Sequence, residues 1–147
     1  MPRFAPVGTK DVLRISDLAQ HELAALLDSA ARLKRDPRAG AGMLAGRSVC
    51  MLFEKPSLRT RMSFEVGVHR LGGQAIYLDH QATPLGERES IGDYGRNLER
   101  WCHAIVARVR SHSTVAGLAA ATRVPVVNAL CDLHHPCQAL ADYQTLL

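Results

Sequence analysis

The stretch "EKPSLRTR", residues 54 to 61, packs a serine, a threonine, two arginines and a lysine into eight positions directly after the apolar run "VCMLF". Hydroxyls and guanidinium groups at that density suit an anion with several oxygens, phosphate above all. Ser57 and Thr60 supply donors, and Arg59 supplies a planar fork that matches two phosphate oxygens. If a helix begins here, residues 57 to 60 fall in its first turn. Unpaired backbone N–H groups and the positive end of the helix dipole draw negative charge to that turn. The competing reading is a capped helix start with solvated arginines. Neither G-x-x-x-x-G-K-[ST] nor G-x-G-x-x-G occurs, so this is not a glycine-rich nucleotide loop.

Two further polar groups follow later apolar runs. Arg108 and Arg110 come at the end of "AIVARV", and "CDLHHPCQ", with His134, His135 and Gln138, comes after "VPVVNAL". His135 precedes Pro136 and stands three residues before Gln138. A rigid loop there would present an imidazole and an amide together, groups able to hydrogen-bond a planar C(=O)NH2. The alternatives are a loop histidine beside a capping histidine, and a solvated strand end at Arg108. No third ligand accompanies the two histidines, so neither a metal nor a cofactor is expected.

These residues need elements to position them. After an irregular lead-in with Pro2, Pro6 and Gly8, residues Leu23, Leu26, Leu27, Ala30 and Leu33 recur at helical spacing from Leu18 to Lys34. From Arg47 the chain alternates. The runs "SVCMLF", "AIYL" (75–78), "AIVARV" (104–109) and "VPVVNAL" (124–130) predict strands. Between them, Phe64, Gly67, Val68 and Leu71 mark one helix, stopped by Gly72 and Gly73. Ile91, Tyr94, Leu98 and Trp101 mark a second, with Ser90 as its cap and Asp93 completing a weak capping box. Val115, Leu118 and Ala119 mark a third, and a last helix runs from about Pro136 to the end. The alternation predicts an α/β fold, three layers (α/β/α) around a central parallel four-stranded sheet. Ligands of such sheets bind outside the carboxyl ends of the strands, where all three polar groups would then converge.

The chain has 147 residues, 47% apolar and 22% charged, which predicts one globular domain rather than disorder. A net charge of +4, without a basic run and with 5% aromatic residues, favours a small anionic substrate over nucleic acid. No apolar stretch approaches the ~18 residues of a membrane span, and no secretory segment opens the chain. The four cysteines form no C-x-x-C pair; Cys50 and Cys102 read as buried, reduced thiols, and the compartment as the cytoplasm.

The segments "FEKPSLRTRMSFEVGVHRLGG", "LGERESIGDYGRNLERW", "VPVVNAL" and "HPCQALADYQTL" together resemble, in order, those of the aspartate/ornithine carbamoyltransferases. The cysteine in the last is typical of the ornithine branch. The resemblance covers the chain from about Val12. It implies that residues 1–147 form a carbamoyl-phosphate-binding domain, with a second, ornithine-binding domain absent from this chain. It implies Ser57, Leu58 through its backbone, Arg59, Thr60, Arg108, His135 and Gln138 as ligands of carbamoyl phosphate, with Arg59, Thr60, Arg108 and His135 in catalysis. The implied reaction carries the carbamoyl group to the δ-amine of L-ornithine, giving L-citrulline and phosphate, in arginine biosynthesis or a urea-cycle type step. Other acceptors (acetylornithine, putrescine, aspartate) and a non-catalytic anion-binding module are the alternatives. A homotrimer is implied too. Two positions depart from the common ornithine pattern: Leu58 stands where many members have threonine, and Pro84 where many have a glutamine that reaches a neighbouring subunit. The terminal "YQTLL", with Leu146 and Leu147, reads as a boundary with a following domain.

Overall fold

The computed structural model describes residues 4–146, so Pro2 and Leu147 lie outside the described residues. Nine main elements follow in order: α1 (Gln20–Arg35), β1 (Ser48–Phe53), α2 (Leu58–Arg70), β2 (Gln74–Asp79), α3 (Ile91–Leu98), β3 (Ala104–Arg108), α4 (His112–Ala121), β4 (Val126–Leu130) and α5 (Pro136–Leu146). The strands form one sheet in the order β2-β1-β3-β4, every pair parallel. Phe53 lies in register with Asp79 on one side and Arg108 on the other, so three carboxyl ends line up.

The sheet is covered on both faces. Val49, Met51 and Phe53 pack with Phe64 and Val68 of α2. Cys50 and Leu52 point the other way, into a cluster with Leu98 of α3 and Val115 and Leu118 of α4. Residues 49 to 53 are therefore buried without a break, as a strand in the middle layer requires. β2 is also apolar through its middle but only half-buried there, because it lies at the sheet edge. Cys50 and Cys102 are buried free thiols, and burial pushes both thiols above their ordinary pKa.

The helix boundaries follow local chemistry. Ser90 caps α3: its Oγ accepts the Asp93 N–H at 3.0 Å and donates to the Asp93 carboxylate at 2.7 Å. Ser90 and Arg96 together hold the Asp93 carboxyl below its usual range. α2 stops where Gly72, at φ +85°, allows its N–H to reach the His69 carbonyl and that of Gly73 to reach Val68. α3 is shorter than its apolar spacing predicts. It ends at Leu98, and Trp101 stands 68% exposed in the following turn.

The lead-in is also more structured than its composition predicts. Val12 forms a parallel bridge to Val127, donating to the Val126 carbonyl and accepting from Asn128, both at 2.9 Å. The Asp11 carboxylate takes the Val126 N–H at 2.9 Å. Glu22, buried on α1, receives the N–H groups of Gly8, Thr9 and Ala19 and the Thr9 hydroxyl. Those bonds, the Thr9 hydroxyl first, pull its carboxyl down to about 2. Among the described residues no helix is long and apolar enough to cross a membrane.

Candidate functional site

The site forms where β1 and β3 lie side by side. The chain leaves β1 through α2 toward β2, and leaves β3 through α4 toward β4, on opposite faces of the sheet. Adjacent strands whose connections part in this way leave a crevice at their carboxyl ends.

One wall is the first turn of α2. Ser57 is its N-cap, the Oγ accepting the Thr60 N–H at 3.3 Å and donating to the Thr60 Oγ1 at 2.9 Å. Leu58 and Arg59 are the first two helical residues, and their N–H groups have no carbonyl one turn back to bond. Leu58 is 77% exposed. Arg59 is exposed and has no carboxylate partner among the described residues.

The other wall is the end of β3. Arg108 is half-buried; its Nη1 lies 3.5 Å from the Thr60 Oγ1, and its Nε is buried without a partner among the described residues. Burial lowers its pKa, and no neighbouring carboxylate acts against that. An arginine stays charged regardless. The structure therefore holds a desolvated cation whose obvious complement is an anion.

His135 is near enough to feel that charge. Its pKa is lowered by burial first and by Arg108 second, against the pull of Asp142. The Gln138 N–H bonds the His135 carbonyl at 3.1 Å and lies 3.4 Å from Nδ1, an arrangement that suits a neutral ring with its proton on Nε2. Gln138 is exposed on α5 and gives its amide N–H to Asp142 at 2.8 Å, which leaves its carbonyl oxygen as an acceptor.

Of the predicted polar groups, Ser57, Thr60, Arg108 and His135 come together. Arg59 and Gln138 are exposed, and among the described residues neither side chain hydrogen-bonds another predicted ligand. Three further polar residues serve the scaffold instead. Arg61 pairs with Glu65 at 3.0 Å and lies over the Tyr77 ring. Arg110 donates to the Gln81 carbonyl at 3.3 Å. The His134 carbonyl receives the Cys131 and Asn128 donors, and its ring meets that of His112 edge-on. Among the described residues no group of three or more His, Cys, Asp or Glu side chains is placed to hold a metal ion.

Residue reasoning on the sequence missed Glu54 and His80. Glu54 is buried, and its carboxylate accepts the N–H groups of Leu85 and Arg110 at 2.8 and 2.7 Å. Its signal was an acid standing first in a row of cations at a strand end. His80 bonds the Tyr94 hydroxyl at 2.6 Å and the Thr83 carbonyl at 3.1 Å. His80, Thr83 and Tyr94, with Leu85 and Arg88, line a cavity of about 420 Å³ beyond β2.

Residues 10–147 match the family described as aspartate/ornithine carbamoyltransferase, carbamoyl-P binding domain. An ornithine carbamoyltransferase of Vibrio sp. (strain 2693) is 50% identical over 137 residues, 93% of this chain and 46% of that protein. The crystal structure of ornithine carbamoyltransferase from Thermus thermophilus superposes with a TM-score of 0.88 at 51% identity, covering 93% of this chain and 47% of that one. The enzyme of that name from Pyrococcus furiosus gives 0.90 at 42% identity, covering 97% and 46%. The chain thus spans about half the length of the relatives it matches.

Proposed function

This chain belongs to the aspartate/ornithine carbamoyltransferase family, and we propose that it is the part of an ornithine carbamoyltransferase that holds carbamoyl phosphate. The whole enzyme moves the carbamoyl group to the δ-amine of L-ornithine, giving L-citrulline and phosphate. The observation that carries this reading is Arg108: a half-buried guanidinium with an orphaned Nε, beside a helix N-terminus lined with hydroxyls and a neutral histidine.

In the proposed mechanism Ser57, Arg59, Thr60 and the Leu58 N–H hold the phosphate. Arg108, Thr60 and the His135 Nε2–H face the carbamoyl oxygen, and the Gln138 carbonyl takes the carbamoyl NH2. A neutral amine attacks the carbonyl carbon, negative charge grows on the oxygen, and the tetrahedral species collapses with phosphate as leaving group and as acceptor of the proton that the attacking nitrogen sheds. Donors set beforehand around that oxygen stabilise the charge without reorganising. Orienting the amine against the donor contributes several kcal/mol more, up to roughly 7–11 in good cases. The groups that would orient an amino acid belong, in this proposal, to an ornithine-binding domain in the half of the relatives' length that this chain does not span. A homotrimer, a cytoplasmic location and a step of arginine biosynthesis complete the proposal.

Calorimetric titration tests it. The chain should bind carbamoyl phosphate at least about tenfold more tightly than phosphate, a difference near 1.4 kcal/mol. Equal affinities would reject the carbamoyl contacts. Joined to the ornithine-binding half of a relative, the chain should form citrulline from ornithine; a chimera that folds and forms none would reject the chain as the carbamoyl-donor half.

A further inference from the structure

We propose that Glu54 is a positioning residue for carbamoyl recognition, a grip that fixes the end of β3 so that Arg108 faces the carbamoyl oxygen. This rests on the donor site proposed above. Glu54 is 4% exposed, yet it forms no ion pair among the described residues. Backbone groups alone satisfy it. Its Oε1 accepts from Leu85, in the loop after β2, and its Oε2 accepts from Arg110, in the loop after β3. Its own N–H donates to the Arg108 carbonyl at 2.9 Å. Arg108 and Arg110 are thus both held by one residue, the one that directly follows β1.

A buried carboxylate is costly unless its oxygens are well bonded, so its presence needs a reason. Here two acceptors are needed at once, for donors in two different loops, and a carboxylate offers them on one side chain. An amide offers one acceptor and turns an NH2 toward the other donor. The consequence falls unevenly on the site. The phosphate turn of α2 is built from Ser57 and Thr60 and makes no bond to the Glu54 side chain. The guanidinium of Arg108 hangs from the gripped backbone, and a displacement near 1 Å at such a group can cost about a hundredfold.

The test is selectivity. Glu54→Gln should lower carbamoyl phosphate affinity about tenfold or more while phosphate affinity stays within roughly twofold. Glu54→Asp, too short to span both loops, should do the same. Variants that keep the unsubstituted chain's preference, or lose both anions equally, overturn the role of Glu54 and leave the donor site standing. An unsubstituted chain that prefers neither anion overturns both. Hydrogen exchange needs no variant and decides the matter if the substituted chains do not fold. The Leu85 and Arg110 amides should slow together when carbamoyl phosphate binds and not when phosphate does. Amides that ignore carbamoyl phosphate, respond to both anions alike, or respond separately overturn the grip.

Discussion

Arg108 and Thr60 meet across the carboxyl edge of the sheet, Nη1 3.5 Å from Oγ1, though 48 residues separate them in the chain. The contact joins the end of β3 to the first turn of α2. It is long for a hydrogen bond and leaves most of the guanidinium's donors unused. Both features suit a group waiting for an anion rather than one built for stability.

Arg108→Met removes the charge and keeps most of the volume. Carbamoyl phosphate affinity should fall by about 1.5–3 kcal/mol, the scale of a charged hydrogen bond. The melting temperature should hold or rise, because a desolvated cation without a carboxylate partner is lost. A destabilised variant that still binds carbamoyl phosphate would show that Arg108 serves the fold instead.

Arg59→Lys keeps the charge and loses the fork. Carbamoyl phosphate binding should weaken by about 1.5–3 kcal/mol, with thermal stability unchanged because Arg59 is exposed. Calorimetry on the two chains checks this, and equal affinities would mean that the guanidinium faces solvent when ligand is bound.

Ser57→Ala acts on both stability and binding. Loss of an N-cap costs about 0.5–2 kcal/mol, and the hydroxyl proposed to reach the phosphate goes with it. Denaturant melts should show the stability loss without ligand, and the loss should widen in saturating phosphate. A gap that stays constant would confine Ser57 to capping.

His135 resists protonation, because burial and Arg108 hold its pKa below the ordinary 6.5. Its share of stability is complete above 6.5 and is lost as pH falls through the lowered value. Replacing His135 with Asn should flatten the stability profile on the acid side of 6.5. A bound phosphate brings negative charge near the ring and should raise its pKa, which NMR titration reads directly. A ring that titrates identically with and without phosphate lies outside the site.

Much of the scaffold is legible in the sequence because the middle strands are buried on both sides. "SVCMLF" coincides with β1 residue for residue, since five of its six positions are buried. An edge strand carries an apolar run with less burial, and β2 extends one residue beyond "AIYL" at each end. Trp101 continues the apolar spacing of α3, but Leu98 is the last helical residue and the indole faces out. Ser57, Thr60, Arg108 and His135 could be picked out because each follows an apolar run at a parallel strand's end. Glu54 could not, because its meaning lies in two backbone amides 31 and 56 positions further on, which no local pattern encodes. The exposed rim positions of Arg59 and Gln138 were likewise invisible, since periodicity predicts which elements form and not where long side chains point.

The bridge from Val12 to Val127 carries a consequence for how the chain folds. The bonds from Val126 to Asp11 and from Asn128 to Leu13 each close a loop of 115 residues. Loop-closure entropy makes such contacts expensive until the intervening chain is already compact. During synthesis the lead-in emerges first and must wait for β4, its docking strand, to emerge after it. Until then the outer side of β4 is an uncovered sheet edge, open to pairing with any other strand nearby. Clipping the chain ahead of Leu13 would make that exposure permanent. Asp11, Val12 and Leu13 therefore cover an edge otherwise open to mispairing, and they can do so only after β4 exists.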